Sequence, residues 1–249
     1  MQATRMETIE EIGFGGLRLL QSEDGFRFGI DAVLLADFAA EKAPKARTMF
    51  DLGTGNGACA FIMSHKTDAG SITGLDLQAK AIELAGRSCR LNGLEDRLSF
   101  LRCDVAEIRD ALAGCRGTAD AVVTNPPYVA RNAGLAGSGD SRFLSRQETT
   151  AGFEDFAAAA SFLLRDRGHF FLIHRPARLV DVFAGCRGCG LEPKEIRFVA
   201  PRRGAKPNLV LVHCIKGGGK ELDILQNLYV YDETGKYTAE IMKIYEKTG

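Results

Sequence analysis

From Thr48 onward the chain alternates short apolar runs with helical stretches, and no other feature of its 249 residues limits the fold as much. Apolar segments near 48–52, 71–76, 98–103, 120–124, 168–174, 194–200 and 208–215 read as strands. Stretches near 57–66, 78–92, 105–113, 147–165 and 176–187 read as helices. Strands joined through helices run parallel, and a parallel sheet needs helices on both faces. The last two strands leave no room between them for a crossover helix, so that pair must be antiparallel. The expected fold is α/β: a doubly wound, mostly parallel seven-stranded sheet with the last strand antiparallel.

Appendages flank this core. Residues 1–45 read as an N-terminal arm, hairpin and helix, 46–216 as the sheet with its ligand site, and 217–249 as a C-terminal extension of the same domain. The first ten residues are polar and read as an arm. Gly13 to Gln21 and Phe26-Arg27-Phe28, around a Glu-Asp-Gly turn, suggest a hairpin or lid. Ile30 to Ala40 has the spacing of an amphipathic helix, with Asp31 in its opening turn, where a carboxylate ordinarily serves as a cap. The segment Gly134 to Gly139 reads as a flexible loop suited to a substrate lid. Beyond Gly219 the tail offers a strand at Leu228 to Tyr231 and a helix from Thr238.

Composition narrows the function classes. The formal net charge is zero, yet residues 165–220 hold twelve Lys/Arg against four Asp/Glu, a basic block in a neutral chain. Such a block is a nucleic-acid face or an ordinary solvated surface. Seven scattered cysteines make no disulfide framework, and the lone Cys186/Cys189 pair has no partner at zinc spacing. The N-terminus shows no apolar targeting core, and no window approaches a membrane span. The expectation is a cytoplasmic protein with no metal, no membrane partner and, by default, a monomeric state.

Ligand-type residues fall at the ends of successive strands. Phe50-Asp51-Leu52-Gly53-Thr54-Gly55-Asn56-Gly57 is a strand, a glycine turn and a helix start; its glycines let backbone pass close to a ligand. The next strand ends in Asp76, followed by Leu77, where a doubly wound sheet faces the ribose of a nucleotide. The third ends in Asp104, followed by Val105, placing a carboxylate where it can accept from an adenine amine. The fourth ends in Asn125-Pro126-Pro127-Tyr128. Each proline fixes φ and lacks an N–H, so this turn is a stiff platform rather than a continuing strand. A dinucleotide fingerprint is Gly-x-Gly-x-x-Gly for its pyrophosphate. Here the third glycine comes one residue early, which suits S-adenosylmethionine, a nucleotide ligand without phosphate. No P-loop is present: Cys214 stands where the first glycine before Gly219-Lys220 belongs, and Glu221 follows the lysine.

With these motifs the chain resembles class I S-adenosylmethionine-dependent methyltransferases, whose amino-methylating branch carries Asn-Pro-Pro-Tyr. More closely it is similar to the bacterial tRNA(Val) adenine-N6 methyltransferase family. The likeness runs through Gly29-Ile30-Asp31-Ala32-Val33-Leu34-Leu35 and Ser145-Arg146-Gln147-Glu148. It continues through His174-Arg175-Pro176-Ala177-Arg178-Leu179, Tyr229-Val230-Tyr231-Asp232 and Gly235-Lys236-Tyr237-Thr238. One departure is Ile30, where the family has Thr in Gly-Thr-Asp. The resemblance implies a Rossmann-like methyltransferase fold, S-adenosylmethionine as cofactor and tRNA as partner. It implies a cofactor site of Asp31, Asp51, Gly53, Gly55, Asn56, Gly57, Asp76, Leu77, Asp104, Val105 and Asn125.

The platform has a chemistry of its own. An adenine amine is a poor nucleophile because its lone pair is delocalised into the ring. The Asn125 side-chain carbonyl and the Pro126 backbone carbonyl can each accept one N–H, aiming the lone pair at a methyl donor. Tyr128, beside Pro127, would stack on the base. Arg202, Arg203 and Lys206, between the last two strands, would hold RNA phosphates. Other readings are a protein glutamine-N5 methyltransferase, a DNA adenine methyltransferase, a non-catalytic binding module and an NAD-dependent oxidoreductase. The basic block and the lack of a separate N-terminal helical domain count against the first. No target-recognition domain is evident for the second.

Overall fold

A computed structural model gives the structure and describes residues 7–22, 29–127 and 151–247. The chain begins with β1 (Glu7–Glu11) and β2 (Arg18–Ser22), an antiparallel pair in the register Glu7↔Ser22 to Glu11↔Arg18. From Glu7 onward the segment read as an arm is therefore a paired strand. Ile9 and Glu11 are exposed while Glu7, Thr8 and Glu10 are half-buried, a pattern that hydropathy alone cannot tell from a loose tail. Gly13, Phe14, Gly15 and Gly16 all take positive φ in the intervening turn, and this throws the Phe14 ring into the core. Phe26 to Phe28 lie outside the described residues, as do Tyr128, the Gly134–Gly139 loop and the Ser145–Glu148 motif.

Helix α1 (Ile30–Lys42) leads into β3 (Thr48–Leu52), α2 (Ala58–Lys66), β4 (Ser71–Asp76), α3 (Ala79–Asn92) and β5 (Leu98–Arg102). After α4 (Ile108–Ala111) come β6 (Ala119–Thr124), α5 (Phe153–Leu163), β7 (Leu164–His174) and α6 (Leu179–Gly188). The chain closes with β8 (Leu191–Ala200), β9 (Leu209–Lys216), β10 (Asp223–Ile224), β11 (Leu228–Tyr229) and α7 (Ala239–Ile244). The sheet order is β10-β8-β9-β7-β6-β3-β4-β5, with β11 also on β8. All pairs in it are parallel except those made by β9, antiparallel to both β7 and β8. The seven expected strands are present, and two short tail segments extend the β8 edge.

Alternation along the central strands fills two cores. Ala121, Val123, Phe171 and Ile173 face one, with α1, α2 and the tail residues Leu228, Val230, Ile241 and Ile244. Val122, Phe170 and Leu172 face the other, against Phe156, Ala157 and Ala160 of α5 and Val182 and Cys186 of α6. Both faces of β6 and β7 are buried, which is why they read as continuous apolar runs.

Local differences from the sequence reading have physical causes. The helix expected over 147–165 is described from Phe153 and stops at Leu163, because β7 starts at once with Leu164. The polar lead Arg165-Asp166-Arg167-Gly168 hides that start; Arg167 takes φ 62°, and a Cβ on Gly168 would meet the Arg165 carbonyl at 2.9 Å. The helix expected over 105–113 splits into two 3₁₀ turns around the four-residue α4, with Val105 and Ile108 its buried anchors. His213 lies inside β9 opposite Phe171.

Candidate active site

Register aligns the carboxyl ends of the strands at one edge. Leu52 pairs with both Leu75 and Thr124, and Asp76 with Arg102. Gly53, Leu77, Asp104 and Asn125 therefore open on the same side of the sheet, as binding sites of open α/β sheets do. The turn after β8 opens there too, since β8 and β7 both run antiparallel to β9.

The glycine turn is shaped from below and left clear above. Gly53 and Thr54 both donate their N–H to the Leu75 carbonyl, at 2.8 and 2.9 Å, pinning the turn to β4. Gly53, Gly55 and Gly57 take φ of 70°, 57° and 86°, a region other residues enter only with strain. A Cβ on Gly57 would meet Phe100 at 2.9 Å and Phe61 at 3.0 Å, so this glycine lets α2 pack on the sheet. A Cβ on Gly55 would meet nothing within 4 Å. One glycine serves packing and the other faces open space.

Carboxylates surround that space. Asp76 accepts from Gly55 N–H at 2.9 Å on one oxygen and from Gln78 N–H at 2.8 Å on the other. Burial raises its pKa, while the N–H bonds of Gln78, Gly55 and Leu77 act in the opposite direction. Asp51 is buried under the turn and accepts the Thr54 hydroxyl at 2.6 Å. Desolvation pushes its pKa up to about 7, the Thr54 bond works against the shift, and the Asp76 charge adds to it. Asp104 caps the 3₁₀ turn, accepting from Ala106 N–H at 2.9 Å, and Val105 behind it is buried. Leu77 is half-buried, its carbonyl accepting from Arg102 Nε at 3.0 Å.

Asn125 follows β6, whose last residue Thr124 donates its hydroxyl to the Leu52 carbonyl at 2.8 Å. The Asn125 side chain donates Nδ2–H to Asp31 Oδ2 at 2.9 Å. Only the nitrogen of an amide can donate to a carboxylate, so this bond sets which way the amide faces and leaves Oδ1 as its acceptor. Asp31 does not cap α1, which starts at Gly29 without a side-chain cap. Its carboxylate lies over Gly29, where a Cβ would overlap Oδ1. Pro126 is buried and Pro127 half-buried. At the end of β7, His174 accepts from Arg175 N–H on Nδ1 at 2.9 Å, and desolvation holds its pKa down to about 4. It is neutral at pH 7. Arg202, Arg203 and Lys206 are exposed on the β8–β9 turn, and the Arg203 guanidinium lies 5.2 Å over the Tyr229 ring.

Sequence reasoning missed two groupings. Tyr231, Tyr237 and Tyr245 stack in succession, and Tyr245 lies on Phe14. On one face of the sheet, Lys42 of α1 donates to Glu195 at 2.7 Å, Glu195 bonds His213 at 2.8 Å, and His213 bonds His169 at 3.0 Å. Spacings of six and eight residues in the first and partners from four elements in the second leave no local periodicity to find. Among the described residues no group of three or more metal-ligating side chains occurs, and no helix is long and apolar enough to cross a membrane.

The strand order, the turn and the carboxylates along one edge define a class I S-adenosylmethionine-dependent methyltransferase. Residues 22–140 match the family model of the methyltransferase small domain, and S-adenosylmethionine is the cofactor. Among curated proteins the chain is similar to the tRNA1(Val) (adenine(37)-N6)-methyltransferase of Phocaeicola vulgatus, 27% identical over 186 residues and 75% of each chain. A release factor glutamine methyltransferase of Bradyrhizobium diazoefficiens is 35% identical over 92 residues, 37% of this chain and 29% of that one. Among solved structures, a predicted O-methyltransferase from Agrobacterium tumefaciens superposes with TM-score 0.70 at 25% identity, covering 87% of this chain and 95% of that one.

The residues fit this cofactor on the structure's own terms. The space above Gly55 admits a ligand against bare backbone. Asn56 Nδ2 is buried without a hydrogen-bond partner, a donor whose burial costs about 1–3 kcal/mol unless a ligand accepts from it. Asp76 holds a buried acceptor beside both.

Proposed function

We propose that the protein methylates the N6 amine of an adenine in tRNA, with S-adenosylmethionine held by Gly53, Gly55, Asn56, Gly57, Asp76, Leu77, Asp104 and Val105. The observation that carries this reading is the Asp31–Asn125 bond at 2.9 Å: the amide nitrogen donates to the carboxylate, so the amide oxygen is the group that would accept from an incoming amine. The tRNA-modifying relative, matched over three quarters of its length, supports adenine as the acceptor. The cofactor, when bound, supplies an electrophilic sulfonium methyl group. Asn125 Oδ1 and the Pro126 carbonyl each accept one amine N–H, favouring a pyramidal nitrogen with its lone pair directed at that methyl. Asp31 is a positioning residue: it holds the Asn125 amide and touches no substrate. Asn125 is far too weak a base to take the proton, which leaves to solvent after transfer. Pro127 and Tyr128 contact the base, Tyr128 by stacking, which requires an adenine splayed from a loop. Arg202, Arg203 and Lys206 take phosphates.

A second reading is favoured by one observation: the local likeness to a glutamine methyltransferase, whose acceptor is also an NH₂ group. Transfer of tritiated methyl from labelled cofactor to unmodified tRNA, with wild type and Asn125→Ala side by side, separates the two. Label in N6-methyladenine that is lost in the variant supports the proposal. Label in protein with unlabelled RNA moves the function to glutamine.

A further inference from the structure

Next to the catalytic edge the C-terminal segment builds an aromatic column. Tyr231 and Tyr237 stack at 5.5 Å and 15°, Tyr237 and Tyr245 at 5.6 Å and 14°, and Tyr245 and Phe14 at 6.1 Å and 26°. Three near-parallel steps from separate stretches of chain are more than core packing requires, because the outer ring, Tyr231, is 42% exposed. The ring is held in place nonetheless. Tyr231 N–H donates to the Pro201 carbonyl at 2.8 Å, and Tyr231 bridges Tyr237 in antiparallel fashion. Pro201 immediately precedes Arg202 and Arg203, so the exposed ring sits beside the basic turn.

The inner end of the column reaches the catalytic residues. A cavity of about 460 Å³ has Tyr237, Tyr245, Gly29, Ile30, Lys247 and the acidic Glu11 among its lining residues. Its Gly29 wall is the backbone under the Asp31 carboxylate that holds Asn125. The Lys247 ammonium lies 5.3 Å over the Tyr245 ring. The stacked rings thus reach from beside the β8–β9 turn to a cavity whose Gly29 wall lies under Asp31. This is the make-up of a single-strand site, where bases stack on rings and cations follow the phosphates.

We propose that the Tyr231–Tyr237–Tyr245 column is a stacking platform for an unpaired nucleotide flanking the target adenine, with Tyr231 as the ring that takes the base. The proposal rests on the RNA reading above and assigns the tail a part in holding that substrate. Tyr231 is a binding residue and not a catalytic one: its loss weakens the hold on RNA and leaves the chemical step alone.

The test uses the full chain with an unmodified tRNA anticodon stem-loop carrying 2-aminopurine beside the target adenine. Wild type is expected to quench the probe on binding, without need of turnover. Tyr231→Ala is expected to lose the quench and to raise both Kd and KM for the RNA by about 5- to 100-fold, with kcat and cofactor affinity unchanged. Tyr231→Phe keeps the ring and is expected to stay within twofold of wild type. A thermal melt of each variant shows whether it folds, and an exposed ring is truncated at little cost. Should Tyr231→Ala bind and quench like wild type while Asn125→Ala abolishes transfer, the platform is overturned and the RNA function stands. Should wild type bind no RNA, both readings fall.

Discussion

Replacing Asp31 by Ala removes the acceptor of the Asn125 amide without touching the glycine turn. The bond is 2.9 Å long, part-buried and made to a carboxylate. Charge-assisted bonds of this kind contribute about 1.5–3 kcal/mol. If that energy serves to orient Oδ1 in the transition state, kcat falls by about 10- to 150-fold. Asp31→Asn keeps an acceptor and loses only the charge, about 1 kcal/mol, so its kcat falls only about fivefold. Gly29→Ala is the structural control: its Cβ takes the space of Asp31 Oδ1, displacing the carboxylate while leaving it in the chain. It is expected to resemble Asp31→Ala. The assay is tritiated methyl transfer to tRNA, with kcat and KM for both substrates, beside calorimetric titration of S-adenosylmethionine. Cofactor affinity is expected to stay within twofold. An unchanged kcat with cofactor affinity down more than tenfold would refute the positioning argument and return Asp31 to the cofactor site, as the family resemblance implied.

Gly57→Ala combines backbone strain at φ 86° with a Cβ 2.9 Å from Phe100, costing about 2–4 kcal/mol and lowering Tm by roughly 5–15 °C. Gly55→Ala meets open space, so its stability loss is the strain alone, about 1–2 kcal/mol, while S-adenosylmethionine affinity drops more than tenfold because the methyl stands in the ligand's path. Asp51, with a folded pKa near 7 against an unfolded value near 3.8, binds more protons folded than unfolded between those values. It therefore favours the fold at low pH and loses that contribution as pH rises through about 7; denaturant titrations of Asp51→Asn across pH 4–8 are expected to show a shallower fall than wild type. Arg202→Ala with Arg203→Ala is expected to reduce the salt slope of RNA binding by about 1.4–1.8 without changing cofactor affinity, and an unchanged slope removes both from the RNA surface.

Neighbours along the chain settle part of this architecture before any long-range contact forms. Strand and helix alternation, the absence of a crossover before β9, and the glycine turn are set by residues within a few positions of one another. The ends of four strands could be assigned to one edge because right-handed βαβ units leave no other arrangement. Hence Asp76, Asp104 and Asn125 fall together from the order of the elements alone. Polar segments misled for the same local reason: Glu7–Glu11 looks like a tail until Arg18–Ser22 pairs with it, and Arg165–Gly168 looks like a loop although it opens β7. Tertiary structure alone decided the rest. Asp31 reads as a helix cap from its neighbours, and only packing of α1 against β6 brings it to Asn125, 94 residues away. Tyr231, Tyr237 and Tyr245 become one column because the tail turns back on itself and on Phe14. Such contacts join side chains whose separation follows no helical or strand period, so their energy has no trace in the local pattern and enters only when the core closes.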